Sequence, residues 1–250
     1  MTQSWQPPSS LEERLRAAVI PARWRLAYKA WREGRFGERE FRLLPQLVAP
    51  DRVALDVGAN RGVWTYALRG LAREVHAFEP NPKMFTDLSA ALKGRAHLHA
   101  LALSDRNGEA EFRVPRGPRG YSNQGGSISA IAVSRDYGAL TVPTARLDDL
   151  AIADVGFIKI DVEGAELAVI EGAGETLRRD RPVMVVELEE RHTGRPIERM
   201  IGDIEAHGYA AFGLPGGVMT PWREIDMDVW HRGRVGRPGY VFNFIFRPAG

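Results

Sequence analysis

Apolar residues in the first part of the chain recur at helical spacing. Leu11, Leu15, Ala18 and Val19 stand at i, i+4, i+7 and i+8. Ser10 precedes them as an N-cap, with Glu13 three residues later completing a capping box. The pattern predicts helix from Leu11 to about Leu44, broken at Pro21, with a second helix carrying Trp24, Leu26, Tyr28 and Trp31. The first ten residues are expected to be disordered.

From Arg52 the rhythm changes. Short apolar runs at 52–57, 74–79, 96–103, 156–161 and 183–188 read as strands, and helical patterns lie near 62–72, 82–93, 164–178 and 196–207. Strands alternating with helices predict a mostly parallel sheet covered on both faces, an α/β fold. Two further runs, 209–213 and 240–246, have no helix between them and predict an antiparallel pair at the sheet edge. Residues 104–150 interrupt the alternation with three short runs, EAEFRV, SISAIAV and LTVPTA, each a candidate strand. No internal repeat or second domain boundary is visible. The expected organisation is a helical extension or lid over residues 1–48 and one domain over 49–250.

Composition narrows the classes. With 44% apolar residues the chain can bury a core, and no run is long enough to span a bilayer. The N-terminus lacks a basic segment followed by an apolar one, which argues against a secretory signal. There is no cysteine, which removes disulfides, thiolate metal sites and a cysteine nucleophile and fits the cytoplasm. Net charge is only +2, yet residues 11–45 carry nine Lys/Arg against five acids, and 231–250 carry four Arg and no acid. Basic ends could attract an anionic or lipid surface, although helices of this kind more often pack on their own domain or form a lid.

The stretch ALDVGANRGVWTYAL, at 54–68, carries the first chemistry. A strand ending at Val57 turns through Gly58 and Gly62 into a helix, whose first N–H groups are open to a polar ligand. Glu79 ends the next strand, 21 residues after Gly58, where a carboxylate can accept hydrogen bonds from ribose hydroxyls. A dinucleotide normally takes G-x-G-x-x-G here, but Asn60 stands at the second glycine and Trp64 crowds the following turn. Asp56 would repel a pyrophosphate and suits a cationic amino group. S-adenosylmethionine (SAM), with a ribose, an ammonium and no phosphate, fits better than a nicotinamide dinucleotide.

The segments LDVGANRGVWT, FEPNPKMF, ALSDRNGEAEF, TARLDDL and IKIDVEGAELAVIEGAGETLRRDRPVMVVELEE, in this order over roughly residues 50–190, resemble the FkbM family of SAM-dependent methyltransferases. The resemblance implies a Rossmann-like class I methyltransferase fold, with a seven-stranded sheet of six parallel strands and an antiparallel last one. It implies O-methylation of a hydroxyl on a carbohydrate or natural product, with SAM as cofactor. It further implies that Asp56, Gly58, Asn60 and Gly62 form the loop at the methionine end, that Glu79 holds the ribose and that Ser104 and Asp105 meet the adenine. Residues 1–50 and 214–239 lie outside the matching motifs and are where acceptor choice is expected to reside.

Methyl transfer to oxygen needs a hydroxyl in line with the sulfonium and a base for its proton. Asp161, at the carboxyl end of the fourth strand, is expected nearest the transferred methyl group and is counted with the cofactor contacts. Asp161, Glu163 and His192 are the candidate catalytic residues, with helix capping as the plainer role for Glu163. Asp161, Glu163, Glu187 and Glu189 could offer oxygens to Mg²⁺, but no spacing fixes a geometry, and no metal is assigned. Arg116, Arg119, Tyr121 and Asn123 in the loop 115–129 could meet a polar acceptor, and Trp222 and Trp230 could stack on a sugar ring. The partners expected are a hydroxylated small molecule and no nucleic acid, with a homodimer left open. Competing readings are an NAD-dependent oxidoreductase, an RNA-binding or RNA-modifying protein, and a SAM-binding scaffold without activity.

Overall fold

The computed structural model describes residues 6–117, 120–122, 125–133 and 136–250. In chain order the strands are β1 (Val53–Val57), β2 (Glu74–Phe78), β3 (His97–His99), β4 (Ala102–Leu103), β5 (Gly108–Gly117), β6 (Gly120–Tyr121), β7 (Tyr137–Ala145), β8 (Val155–Ile160), β9 (Val183–Glu187), β10 (Tyr209–Gly213), β11 (Thr220–Pro221) and β12 (Asn243–Pro248). The helices are α1 (Leu11–Val19), α2 (Ala22–Phe36), α3 (Leu44–Leu47), α4 (Val63–Leu68), α5 (Pro82–Leu92), α6 (Glu166–Glu171), α7 (Gly174–Asp180), α8 (Glu190–Thr193), α9 (Ile197–Glu205) and α10 (Met227–Trp230).

One sheet of eight strands runs β11-β10-β12-β9-β8-β1-β2-β3. Strands β3, β2, β1, β8 and β9 are mutually parallel, and β12 runs antiparallel to both of its neighbours, β9 and β10. The fold is therefore the expected α/β methyltransferase arrangement, with the short β11 added at its edge. The pair 209–213 and 240–246 is antiparallel as anticipated, but β12 lies inside the sheet rather than at its edge. Its burial explains this, since Phe244, Ile245 and Phe246 are all fully buried and need a neighbour on both sides. β1 and β8 are buried at every position, as centre strands covered on two faces must be. The helix face Ile197, Met200, Ile201 and Ile204 is fully buried on the sheet. Each such side chain contributes about 1.5–3 kcal/mol of burial.

Three expectations need correction. The run 96–103 is two strands: His97–His99 joins β2, and Ala102–Leu103 leaves to pair with β7 in a second sheet ordered β4-β7-β5-β6. Residues 127–133 form no strand; Ser127 makes an isolated bridge to Arg113, and 130–133 turn. The helix anticipated over 164–178 is broken between α6 and α7 at Gly172, where a Cβ would stand 1.9 Å from the carbonyl oxygen of Ser104. The second sheet's edge presses on that point, and only glycine allows the approach.

Because β2 and β3 follow β1 on one side and the chain then crosses to β8 on the other, a crevice opens at the carboxyl ends of β1 and β8. This is where open α/β sheets bind ligands.

Candidate active site

A cleft of about 1050 Å³ lies in that crevice. Its floor is the turn after β1. Gly58 has φ +83, and its amide and that of Ala59 both donate to the carbonyl of Phe78 at 3.0 Å. Gly62 has φ +86 and packs so closely on α5 that a Cβ would come within 2.5 Å of Leu88. Asn60, between them, is also left-handed, with φ 50. The turn's curvature aims the Asn60 amide at Glu79, whose Oε2 accepts it at 2.7 Å, while Oε1 accepts the amide of Asn81 at 2.7 Å. Burial lifts the Glu79 carboxyl to about 7 against these two hydrogen bonds. Each oxygen keeps a lone pair for a further donor.

Asp56 is buried beneath the turn and accepts the Thr65 hydroxyl at 2.5 Å. Burial raises it to about 6. Asp56, Gly58, Asn60, Glu79 and Asp161 all line the cleft, so the structure brings together most of the residues expected at the cofactor. Gly62 shapes the turn from behind. Ser104 and Asp105 lie elsewhere. The wall there is Leu101, Ala102 and Leu103, whereas Ser104, directly after β4, is not among the lining residues and donates its amide to Ala145 and its hydroxyl to Asp105. The split of the third strand carries them out of the cleft.

The opposite wall comes from the ends of β8 and β9. Lys159, in the middle of an otherwise apolar strand, is 1% exposed, and its Nζ donates to Asn243 at 2.8 Å. Asn243 in turn donates to Glu38 at 3.0 Å. The Lys159 ammonium also lies 4.0 Å from Asp161 and 5.0 Å from the centre of the Trp64 ring. Burial disfavours its charge, but Asp161, Glu38 and Glu187 outweigh this and hold its pKa above the ordinary value. Glu38 stands at about 7, raised by burial. Lys159, Asn243 and Glu38 were not singled out in the sequence, although a lysine within FIKI and an asparagine within VFNFIF are legible breaks in apolar strands.

Glu163 takes φ 55 just before Gly164 and faces the cleft. It does not cap α6. No side chain caps α6; Glu166, its first residue, instead holds the preceding loop, with Oε1 accepting the amide of Gly164 at 2.9 Å. Burial, followed by the charge of Asp161, raises Glu163 to about 7. Its Oε2 lies 3.3 Å from Nε2 of His192, which burial holds below the usual histidine value. Gly164 allows this contact, because a Cβ there would meet the His192 carbonyl at 2.7 Å. Glu187 completes the group, buried and raised by burial and by Asp161. Glu163, Glu187 and His192 have ligand atoms within 4.8 Å of one another, a spacing that could also hold a metal ion. Glu189 points away, bonded to Arg191 and to the Tyr240 hydroxyl at 2.6 Å, so Glu187 and Glu189 do not act together.

Tyr121 lines the cleft beneath Arg116, whose guanidinium is 5.8 Å from its ring. Arg119 and Asn123 lie outside the described residues. Trp222 and Trp230 pack against the sheet core and form no platform in the cleft.

Residues 56–210 match the methyltransferase FkbM domain. The chain belongs to the FkbM methyltransferase family. Among curated proteins, this FkbM chain is 30% identical over 153 residues to the 2-O-methyltransferase NoeI of Sinorhizobium fredii, covering 54% of this chain and 63% of that protein. It is 32% identical over 158 residues to the hexuronic acid methyltransferase AglP of Haloferax volcanii, covering 60% and 62%. The matched region thus spans less than two thirds of either relative. A solved FkbM methyltransferase from Methylobacillus flagellatus superposes with a TM-score of 0.51 at 16% identity, covering 93% of this chain and 60% of that one, which shows the shared fold. Family membership displaces the nicotinamide oxidoreductase reading.

Proposed function

We propose that this FkbM protein transfers a methyl group from SAM to a hydroxyl of a carbohydrate acceptor. The observation that carries this reading is the cradle around Glu79. A buried carboxylate is fixed by the Asn60 and Asn81 amides at 2.7 Å, beside a glycine turn and facing Asp161 across the cleft. A ribose diol suits its remaining lone pairs, and the acidic lining at Asp56 and Asp161 suits the cationic methionine end and sulfonium. Both curated relatives are methyltransferases by name, one 2-O-directed and one acting on a hexuronic acid, which supports a sugar hydroxyl as acceptor.

In this reading Glu163, on the cleft wall, would face the acceptor hydroxyl. SAM held there would supply an electrophilic methyl group, and a Glu163 oxygen would accept the proton that the acceptor hydroxyl gives up. A base lifted to about 7 is well matched to that task near neutral pH. His192 holds Oε2 and orients the carboxylate. Lys159 fixes Asp161 from below. The described part of the N-terminal extension, residues 6–48, closes one side of the cleft through Ser10, Glu13, Lys29 and Arg32. Incubation with methyl-labelled SAM and a panel of free hexoses, uronic acids and their glycosides tests the reading. Label appearing in an ether-linked methyl of a sugar supports it, and label appearing only on nitrogen or carbon contradicts it.

A further inference from the structure

α1 is amphipathic, yet it docks by its polar side. Glu13 pairs with Arg61 and with Lys83, each at 2.9 Å, and Lys83 also donates to the Pro8 carbonyl at 3.0 Å. The apolar stripe therefore faces outward: Leu11, Leu15 and Val19 are 67%, 58% and 79% exposed. α2 has an apolar outer side of its own, where Tyr28 lies against Trp31 and Trp31 against Phe36 with ring centres 5.9 and 6.3 Å apart. It buries Leu26 and Ala30 on the domain side and turns Trp24, Tyr28 and Trp31 outward, each about three-fifths exposed. Of the thirteen large apolar side chains exposed among the described residues, eight lie between Leu11 and Phe36. Contiguous apolar exposure of this kind marks an interaction surface.

Charge indicates what meets it. Helical spacing sets Arg35 among Trp24, Tyr28 and Trp31, with Arg32 at their edge toward the cleft. The single acid of α2, Glu33, points inward, where Oε1 accepts the Glu38 amide at 2.7 Å. Indole and phenol rings mixed with guanidinium groups, with no carboxylate among them, suit the boundary between anionic headgroups and acyl chains. A second copy of the chain suits this face less well. A two-fold axis through it would bring Arg32 and Arg35 against their own equivalents. No described helix is long and apolar enough to cross a membrane, so contact would be peripheral.

We propose that the outer face of α1 and α2 docks onto an anionic lipid bilayer. The same helices border the cleft through Ser10, Glu13, Lys29 and Arg32, so docking holds the cleft mouth at the membrane surface. On the methyl-transfer reading above, on which this last step rests, the acceptor is a sugar carried on a lipid.

Co-sedimentation of the full chain with vesicles of phosphatidylcholine, alone or mixed with phosphatidylglycerol, tests the docking. The expected result is binding to the mixed vesicles, weakened by salt, with a blue shift in tryptophan fluorescence. The double variant Trp24→Ser/Trp31→Ser should lower the partition coefficient roughly tenfold or more while leaving SAM binding and circular dichroism unchanged. Absence of binding to either vesicle overturns the proposal, and so does a double variant that binds as well as the parent. A dimer that this variant dissociates, without vesicle binding, replaces the membrane with a second copy. Vesicle binding by a protein that does not bind SAM overturns the methyltransferase reading and leaves the docking face standing.

Discussion

A Cβ placed on Gly58 would stand 1.8 Å from the carbonyl oxygen of Asp161. The turn after β1 and the end of β8 are thus in backbone contact, and the two motifs 103 residues apart in sequence form one structure. Gly58→Ala combines that clash with a φ of +83 that alanine tolerates poorly. A loss of about 3 kcal/mol or more in folding stability is expected, read from the urea midpoint, together with loss of SAM binding. Retained stability would mean that the contact is looser than described.

Glu79 is expected to be structural as well as cofactor-binding. Glu79→Ala strips two buried amides, those of Asn60 and Asn81, of their acceptor and should cost about 2–5 kcal/mol. Glu79→Gln keeps one carbonyl acceptor and should cost less, so thermal melts should rank parent, Gln and Ala in that order.

Cofactor affinity should depend on pH. Glu79 and Asp56 stand at about 7 and about 6 without ligand, both lifted by burial. A cationic, hydroxyl-donating ligand favours their charged forms, so binding releases protons. Affinity should rise from pH 5 to about 7, by at most about tenfold per pH unit for each proton released, and then level off. The ligand-free protein shows the opposite trend. Carboxyls whose folded pKa is raised bind more protons folded than unfolded, so stability falls as pH climbs from about 4.5 toward 7. Calorimetry in buffers of different ionisation enthalpy measures the proton release directly.

Much of this was legible in advance because period and punctuation agree. Val53–Val57 is followed by Gly58 and Gly62, which only a sharp, close-packed turn requires, and Glu79 follows at the distance one helix and one strand impose. Helix α1 showed both its capping box and its apolar stripe, and the Ser10–Glu13 bonds form reciprocally at 2.9 and 3.2 Å. Which side of α1 meets the domain was not legible, because it is decided by Arg61 and Lys83, remote in sequence. The split at 99–102 was hidden for a similar reason. His97–Leu103 is one apolar run, and only the partner β7, beginning at Tyr137, pulls its end into another sheet. Lys159 announced itself as a charge within an apolar strand, but its partner Asn243 lies 84 residues away.

Lys159 offsets the acids around it. Lys159→Met removes the ammonium beside Asp161 and leaves the buried Asn243 Oδ1 without its donor, while the Asn243 amide still donates to Glu38. Breaking one partner of such a buried group should cost about 3–5 kcal/mol, measured by denaturant unfolding.

The Glu163–His192 contact at 3.3 Å sets the expected split in kinetics. Glu163→Gln should lower kcat by about 10²–10⁴-fold with SAM affinity nearly unchanged. His192→Gln, which acts through Glu163, should lower kcat less and shift the pH–rate profile. Equal effects on SAM affinity and turnover would place both residues at the cofactor instead.

Titration of the purified chain with SAM, beside Glu79→Gln, tests the central claim most directly. The account predicts one saturable site with the parent, proton release on binding, and affinity at least roughly tenfold weaker in the variant, whose amide cannot accept from both ribose hydroxyls. No heat of binding with the parent, or equal affinity in the variant, would contradict it.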